Sequence, residues 1–302
     1  METQEMAEPA GSPSTGPAPS PRGSTLITGA SGLIGRALAA ALASSRPVLA
    51  LSRHRPDLEG VAFVQGDFTD EDDLRRCLPP ELCIEALVHL GAVTGGCPES
   101  EGMRVNVEGS RRLMRHLLQG GCRRFVLASS IAAVGFADPA FRPLQVPIPD
   151  DHPCLARDAY GLSKHLMEEV AGYLARQVED LDVLCLRLAS VADDARLPPP
   201  RQVHALRPWA LGGITVRALS DAVRLIRLAL DAPPRPGLRV RNAAPSRAWV
   251  APPVARFLEG WYGPEVDASA SLRPGHEFDS VFDVGRIGAE LGFEASRPQP
   301  ES

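Results

Sequence analysis

The stretch Thr28-Gly29-Ala30-Ser31-Gly32-Leu33-Ile34-Gly35 decides how this chain folds. The apolar run at residues 24–28 predicts a strand before it, and the alanine-rich run at residues 33–43 predicts a helix after it. Glycines at such a strand-to-helix turn allow a tight bend and let the backbone approach a pyrophosphate closely. The helix N-terminus then presents free N–H groups to the phosphates. We therefore expect a dinucleotide-binding site at this turn.

Strands and helices are predicted to alternate along the chain that follows the turn. Apolar runs indicate strands at residues 47–51, 61–64, 86–90, 125–128 and 183–188, and helical patterns cover residues 71–77, 103–119 and 158–177. Right-handed crossovers between such elements build one parallel sheet that is covered on both faces. The predicted fold class is α/β, a doubly wound parallel sheet of the Rossmann type with a small C-terminal substrate lobe.

Composition divides the chain into three predicted parts. Residues 1–23 are rich in Pro, Ser, Gly, Ala and Thr, which predicts a disordered tail, and residues 24–188 form the predicted dinucleotide-binding domain. In residues 189–302 prolines break the pattern, and helices are expected at residues 220–230 and 284–291. We expect this part to be a small substrate-binding lobe, interleaved with the Rossmann core at the carboxyl edge of the sheet.

Composition and charge also exclude several classes of function. Apolar residues make up 44% of the chain and charged residues 23%, as in folded globular proteins. The net charge of −5 gives no basic surface for nucleic acid, and the arginine-rich run at residues 111–124 is interpreted as a solvated helix face, with phosphate binding as the alternative. No stretch is long and apolar enough to predict a membrane helix, and no metal-ligand spacing occurs. Six scattered cysteines predict reduced thiols and a cytoplasmic protein.

Lys164 is the only lysine in the chain. All the others among its 32 Lys and Arg residues are arginine. It ends the stretch Tyr160-Gly161-Leu162-Ser163-Lys164, and a helix would place Tyr160 and Lys164 one turn apart on one face. Arginine cannot replace a compact ammonium of adjustable pKa. An ammonium beside a tyrosine favours the phenolate, so we expect a lowered pKa for Tyr160 and a role in proton transfer. The alternative is a solvated helix face without function.

The glycine turn and the Tyr160–Lys164 pair together resemble the short-chain dehydrogenase/reductase superfamily, specifically its extended branch, the NAD(P)-dependent epimerase/dehydratase family. The stretches at residues 66–68, 88–92, 105–109 and 128–130 agree with it in order and spacing. The resemblance covers roughly residues 24–230. It implies contacts to a nicotinamide cofactor from Gly29, Ser31, Gly32, Leu33, Ile34, Gly35, Asp67, Phe68, Leu90, Gly91, Ala92, Asn106, Tyr160 and Lys164.

Arg53 decides the predicted choice between NAD and NADP. Family members that use NAD carry an acid at the end of the second strand, where it binds both ribose hydroxyls, and here that place holds Arg53. A carboxylate would repel a 2′-phosphate, whereas an arginine fork binds it through charge-assisted hydrogen bonds. We therefore expect NADP(H) in preference to NAD(H). The alternative is a surface arginine that stacks loosely on the adenine of NAD.

The resemblance also implies a catalytic set of Ser130, Tyr160 and Lys164. Ser130 corresponds to the residue that orients the substrate; Ser129 is its nearest rival, and a turn-forming serine is the alternative role. Tyr160 exchanges a proton with the substrate, while Lys164 tunes the tyrosine and holds the ribose of the cofactor. Asn106 holds the backbone or a water near the ribose, or else caps a helix start.

The expected reaction is hydride transfer to or from a carbonyl or secondary alcohol of a small polar, sugar-like or biosynthetic substrate. Ile131 and Ala132 occupy the places where dehydratases of this family carry acidic residues. The short lobe is similar to that of uronate dehydrogenase-like sugar oxidoreductases. Arg201, His204 and Trp209 are its candidate substrate-binding residues, with surface placement as the alternative.

Two other functions stay open on the sequence. One is a nucleotide-sugar epimerase or 4-ketoreductase of the same family. The other is an NADP-binding sensor without enzymatic activity, although such sensors usually lose the tyrosine–lysine pair that this chain keeps. The resemblance also implies a homodimer that forms through the helices near residues 103–119 and 158–177.

Overall fold

Parallel strands form the central sheet of the protein. The computed structural model describes residues 23–136, 138, 140–202 and 212–295. The strands are β1 (Ser24–Thr28), β2 (Val48–Ser52), β3 (Ala62–Gln65), β4 (Ile84–His89), β5 (Arg124–Ser130), β6 (Asp182–Leu188), β7 (Ser190–Ala192), β8 (Val216–Ala218) and β9 (Gly237–Ala243). Within the described residues, seven strands pair in the order β3-β2-β1-β4-β5-β6-β9, and β7 pairs with β8. This sheet confirms the predicted α/β fold class.

Helices cover both faces of this sheet. They are α1 (Leu33–Ala43), α2 (Glu71–Cys77), α3 (Glu99–Gly102), α4 (Ser110–Gln119), α5 (Ala159–Gln177), α6 (Leu219–Asp231), α7 (Val254–Tyr262), α8 (Ser269–Leu272) and α9 (Gly285–Leu291). Side chains alternate between the two faces of a strand. Ile27 of β1 therefore joins an apolar cluster with α1 and α6, while Leu26 joins another with α4 and α5.

The order of the strands places a ligand crevice. The chain runs outward from β1 to β2 and β3, and then returns to β4 on the other side of β1. The topological switch point therefore lies between β1 and β4, and ligands of open α/β sheets bind at the carboxyl ends of such strands. Gly29 directly follows β1 and Leu90 directly follows β4, so both lie at the crevice.

The structure confirms the six predicted strands. Beyond Leu188 it contains elements that the sequence did not predict. There, β9 joins the sheet beside β6, and α7 forms a helix that was not predicted. The apolar pattern of β9 is interrupted by Arg239 and Arg241, which both pair with Glu290 of α9. Ion pairs neutralise these charges within the fold, and they leave no apolar signature in the sequence.

The predicted helix at residues 103–119 contains a segment of a different kind. Met103–Gly109 is π-helical and connects α3 directly to α4. π-Helical turns are rare and occur frequently at functional sites. The correction is a local one, because the segment continues the same helical rod and leaves the packing of α4 against the sheet intact.

A third apolar cluster builds the C-terminal lobe from two separate parts of the chain. It joins Phe136 and Ile148, which follow β5, to Phe257 and Phe282, which follow β9. Between these parts, α6 and β9 belong to the sheet and its covering layer. Residues 1–22 of the predicted tail lie outside the described residues. In the part of the chain that is described, no helix is long and apolar enough to cross a membrane.

Candidate active site

The glycine turn after β1 has the geometry that a phosphate-binding loop requires. Gly29 has a φ of +69°, which residues with side chains rarely adopt, and a Cβ on Gly35 would lie 2.2 Å from the oxygen of Gly29. Gly32 precedes α1, and no side chain caps this helix of 11 residues. The N–H groups of its first turn are therefore free to bind an anion.

Two cavities meet at this turn. The larger, of about 490 Å³, extends towards β5 and α5 and is lined by Leu33, Ile34 and Gly35 among others. The smaller, of about 370 Å³, extends towards the ends of β2 and β3. Both are lined by Gly29, Gly32, Leu90, Ala92 and Thr94. An extended ligand with phosphates in its middle, such as a nicotinamide dinucleotide, fits this arrangement.

The smaller cavity brings together the predicted contacts to the adenosine half of a cofactor. Its lining includes Ser31, Arg53, Asp67, Phe68 and Gly91. The Asp67 carboxylate accepts hydrogen bonds from the N–H and the hydroxyl of Thr69 at 2.9 and 2.8 Å, which fixes its position. Arg53 is exposed, and its guanidinium has no partner among the described residues. It is therefore available to a ligand.

A buried network behind the turn was missed by the sequence analysis. His89 is 2% exposed, and its Nδ1 and Nε2 lie 2.6 Å from Thr28 Oγ1 and 2.8 Å from Ser110 Oγ. The N–H of Gly91 donates to the same threonine oxygen at 3.1 Å. Burial and, to a lesser degree, the charge of Lys164 lower the pKa of His89 to about 3, so the imidazole is neutral. A single histidine within a strand carries no spacing signal that would reveal this network.

Strand β5 and helix α5 bring the predicted catalytic residues to one wall of the larger cavity. Asp158 caps α5 by accepting a hydrogen bond from Gly161 N at 2.8 Å, so Tyr160 and Lys164 fall one turn apart on one face. Ser130 is the last residue of β5, and its side chain lies near enough to Tyr160 to lower the pKa of the phenol. All three side chains of the predicted set line the cavity.

Ser129 has a different environment from Ser130. Because side chains alternate along a strand, adjacent serines face opposite sides. The Ser129 hydroxyl donates to Glu168 Oε1 at 2.5 Å in the interior, whereas Ser130 Oγ accepts a hydrogen bond from Ala132 N at 3.1 Å. This difference favours Ser130 over its rival as the residue that faces a substrate.

The expected lowering of the Tyr160 pKa is wrong for this structure. Burial raises the pKa of Tyr160, the hydrogen bond with Ser130 opposes the rise, and the charge of Asp158 adds to it. The ammonium of Lys164 does not offset burial, because it donates to Ala128 O at 2.8 Å and lies 5.9 Å from the centre of the Tyr160 ring. Tyr160 is therefore a neutral phenol that can donate a proton.

Lys164 is almost completely buried, with an exposed fraction of 4%. Burial lowers its pKa to about 8, although Cys185 and Glu168 oppose this change. A lysine can respond to its surroundings in this way, whereas the guanidinium of an arginine stays charged. An adjustable pKa therefore distinguishes Lys164 from the arginines of the chain.

Asn106 lies inside the π-helical segment and is 1% exposed. Its Oδ1 accepts a hydrogen bond from Val93 N, and its Nδ2 donates to Val93 O and Ser163 Oγ, all at 2.9 Å. Asn106 therefore holds the backbone of the loop that borders both cavities. The alternative role as a cap at a helix start is wrong, because the helical rod that contains Asn106 begins at Glu99, well before this residue.

The candidate substrate-binding residues are only partly within the described chain. The guanidinium of Arg201 packs against Gly213, and Arg201 is not among the described residues that line the larger cavity. His204 and Trp209 lie outside the described residues. The described lining of the larger cavity instead includes apolar groups of Ile131, Phe136, Leu188, Ala189 and Val191.

Known proteins resemble this chain over most of its length. Residues 25–201 match the family model described as NAD dependent epimerase/dehydratase family. A uronate dehydrogenase from Pseudomonas syringae pv. tomato is 25% identical over 217 residues, which cover 69% of this chain and 70% of that protein. The chain spans only half the length of a UDP-glucose 4-epimerase from Halalkalibacterium halodurans, with 26% identity over 55% of this chain.

Solved structures share the fold beyond the sheet. A short-chain dehydrogenase/reductase superfamily protein from Agrobacterium tumefaciens with bound NAD is 27% identical, with a TM-score of 0.67 over 91% of this chain and 93% of that one. MoeE5 in complex with UDP-glucuronic acid and NAD is 26% identical, with a TM-score of 0.63 over 91% and 94% of the two chains. The similarity therefore includes the C-terminal lobe.

Proposed function

Because the chain belongs to the NAD dependent epimerase/dehydratase family, we propose that it is an oxidoreductase that prefers NADP. It transfers a hydride to or from a carbonyl or secondary alcohol of a small sugar-like substrate. The observation that carries this proposal is the placement of Ser130, Tyr160 and Lys164 on one wall of the larger cavity, beside the glycine turn. A tyrosine and a buried lysine on a cavity wall are the groups that proton exchange with a substrate oxygen requires.

The residues of the chain supply the proton and control its transfer. When bound, the nicotinamide ring supplies or accepts the hydride. Ser130 donates a hydrogen bond to the substrate oxygen and orients it. Tyr160 gives a proton to that oxygen during reduction and takes it back during oxidation. The ammonium of Lys164 stabilises the phenolate that forms, because opposite charges in a buried site are poorly screened.

The groove offers partners along the whole length of a nicotinamide cofactor. The uncapped N-terminus of α1 binds the pyrophosphate, and Lys164 holds the hydroxyls of the nicotinamide ribose. Arg53 binds the 2′-phosphate of NADP at the far end. Its unpartnered guanidinium at the cavity rim supports this preference, and so does the lack of an acid at the end of β2. Two solved relatives contain NAD, so both cofactors need to be compared directly.

Fluorescence titration with NADPH and NADH tests the choice of cofactor. We expect NADPH to bind at least about tenfold more tightly, because a hydrogen bond to a charged group contributes roughly 1.5–3 kcal/mol. Arg53→Asp should reverse this preference. Arg55→Asp is the matched control, because Arg55 is also exposed but packs over the Phe63 ring at 5.9 Å. Equal affinities in the wild type would contradict the NADP preference, and binding of neither cofactor would contradict the proposed function.

A sugar-like substrate is supported by the relatives, which include a uronate dehydrogenase and a complex with UDP-glucuronic acid. Among the described residues that line the larger cavity, Lys164 is the one charged side chain. A panel of sugars, uronates and nucleotide sugars, followed by NADPH oxidation or NADP reduction, tests the class. Tyr160→Phe should lower turnover about 10²- to 10⁴-fold while leaving cofactor affinity unchanged.

A second candidate function is epimerisation of a nucleotide sugar, which the similarity to UDP-glucose 4-epimerase favours. An epimerase oxidises and then reduces the same carbon, so it consumes no cofactor overall. Proton NMR of a nucleotide sugar incubated with the protein would then show a new epimer without net NADPH oxidation. Stoichiometric oxidation of NADPH by a carbonyl substrate supports the oxidoreductase instead.

A further inference from the structure

A buried ion pair lies directly behind the catalytic wall. The side chains of Glu168 and Arg187 are 3% and 6% exposed. Arg187 donates from Nε and Nη2 to the two carboxylate oxygens of Glu168 at 2.9 and 2.7 Å, and the Ser129 hydroxyl donates to the same carboxylate at 2.5 Å. Arg187 Nη1 also donates to Asp150 O at 2.9 Å. We call Ser129, Glu168 and Arg187 the clamp.

The clamp joins the elements that carry the proposed catalytic residues. Ser129 and Arg187 are directly opposed on β5 and β6, and Glu168 lies one turn beyond Lys164 on α5. Ser129 is also the chain neighbour of Ser130. The clamp therefore ties the helix that carries the lysine to the strand that carries the substrate-orienting serine.

We propose that the clamp positions α5 for the reaction and that Glu168 holds Lys164 in its ammonium form. Glu168 is a positioning residue in this account, since it acts on the reaction through Lys164. The catalytic meaning of the proposal rests on the proposed function. Its structural part, which is the influence of one buried carboxylate on one buried lysine, does not depend on that function.

The charged and titratable groups around Lys164 support this role. They are Tyr160 and Glu168 on α5, Cys185 and Arg187 on β6, and His89 on β4. Burial raises the pKa of Cys185 well above its usual range and also raises that of Tyr160, so both are neutral near pH 8. His89 is neutral as well. Glu168 is thus the anion of this group that favours the ammonium, and its loss would leave two cations buried together.

The single lysine makes a direct test feasible. Protein labelled with carbon-13 at the lysine Cε gives one lysine signal, and its shift during a pH titration follows the protonation of Lys164. We expect a midpoint near 8 in the wild type, as the pKa of about 8 requires. The midpoint in Glu168→Gln should be lower by about one unit, because an opposite charge nearby has been removed. Equal midpoints in the two proteins would overturn the proposal.

Glu290→Gln is the matched control for the titration. Its side chain is 6% exposed and pairs with Arg239 and Arg241, and it does not line the larger cavity in the part of the chain that is described. We expect thermal unfolding to show a loss of stability in both variants and the lysine titration to change in Glu168→Gln alone. Glu168→Asp keeps the charge and should keep the wild-type midpoint. If Glu168→Gln fails to fold, Glu168→Met, which also removes the charge at a similar side-chain length, replaces it in the same comparison.

A kinetic measurement separates the clamp from the proposed function. Glu168→Gln should lower kcat about 10- to 100-fold, as expected for small displacements of reacting groups, with little change in the KM for the cofactor. Its kcat–pH profile should fall at a pH about one unit lower than that of the wild type. A wild-type kcat and profile in this variant would refute the clamp. A wild-type protein without turnover would refute only the proposed function, because the lysine titration needs no substrate.

Discussion

Replacement of Lys164 tests the chemical account of the site through stability as well as activity. An ordinary lysine has a pKa of 10.5, and burial lowers that of Lys164 to about 8. Each pKa unit corresponds to about 1.4 kcal/mol, so burial of the ammonium costs the folded state about 3 kcal/mol. This cost is fully present below pH 8, where the lysine is protonated in both the folded and the unfolded state. Between pH 8 and 10.5 the folded state binds fewer protons, so stability rises with pH.

Two substitutions of Lys164 should therefore change stability in opposite directions. Lys164→Met removes the charge and its cost but leaves Ala128 O without its donor, which costs about 1–3 kcal/mol, so a net gain of about 1 kcal/mol is expected. Lys164→Arg cannot release its proton and inserts a larger head group into a buried site, so a loss of about 1–3 kcal/mol is expected. Both should lower turnover by at least about 100-fold.

Thermal unfolding at pH 7 without cofactor measures the stability of the three proteins. A difference of 1 kcal/mol corresponds to a change of about 2–4 °C in Tm for a domain of this size. Turnover is measured with the substrate found in the panel, under saturating NADPH. An arginine variant that melts with the wild type and keeps its turnover within about threefold would refute the reasoning.

Three other outcomes test separate parts of the site. Ser130→Ala should lower kcat about 10- to 100-fold and raise the pKa of Tyr160 further, because the hydrogen bond that opposes the rise is lost; a kcat–pH profile checks this. Gly35→Ala, whose Cβ would lie 2.2 Å from a backbone oxygen, should abolish cofactor binding in a fluorescence titration, whereas Gly120→Ala, with its nearest atom at 3.5 Å, should not. Turnover should fall as the pH rises through about 8, because Lys164 loses its proton, while Tm measured on the same samples rises.

The parts of this site that sequence could predict are those written in short stretches. The glycine turn contains the strand, the bend and the helix start in one run of residues, and the structure forms each of them where expected. Tyr160 and Lys164 are separated by one helical turn, so their shared face follows from the helix alone. Strand β9 was missed because Arg239 and Arg241 interrupt its apolar pattern, and their partners lie far away in the chain.

Burial was the property that sequence could not supply at the active site. The Tyr160 pKa was expected to fall because only the nearby ammonium was visible in the sequence, whereas the structure adds the desolvation that outweighs it. The burial of Glu168 could not be predicted from the sequence for the same reason. A glutamate in a helical pattern indicates a solvated position until β5 and β6 are placed against it. Its pairing with Arg187 depends on the way in which the chain returns from α5 to the sheet as β6.

Arg187 and Lys164 are two buried cations beside the same turn of α5, and they serve different purposes. Arg187 presents a planar fork that matches both oxygens of Glu168, and its charge is permanent, so it suits a fixed connection between helix and sheet. Lys164 presents a compact ammonium whose pKa depends on burial and on the same carboxylate, so it suits a group that must respond to a nearby phenol. If lysine and arginine exchanged places, the clamp would be weaker and the cation near Tyr160 would carry a permanent charge. This asymmetry explains why a chain with arginine at every other basic position uses lysine at this one.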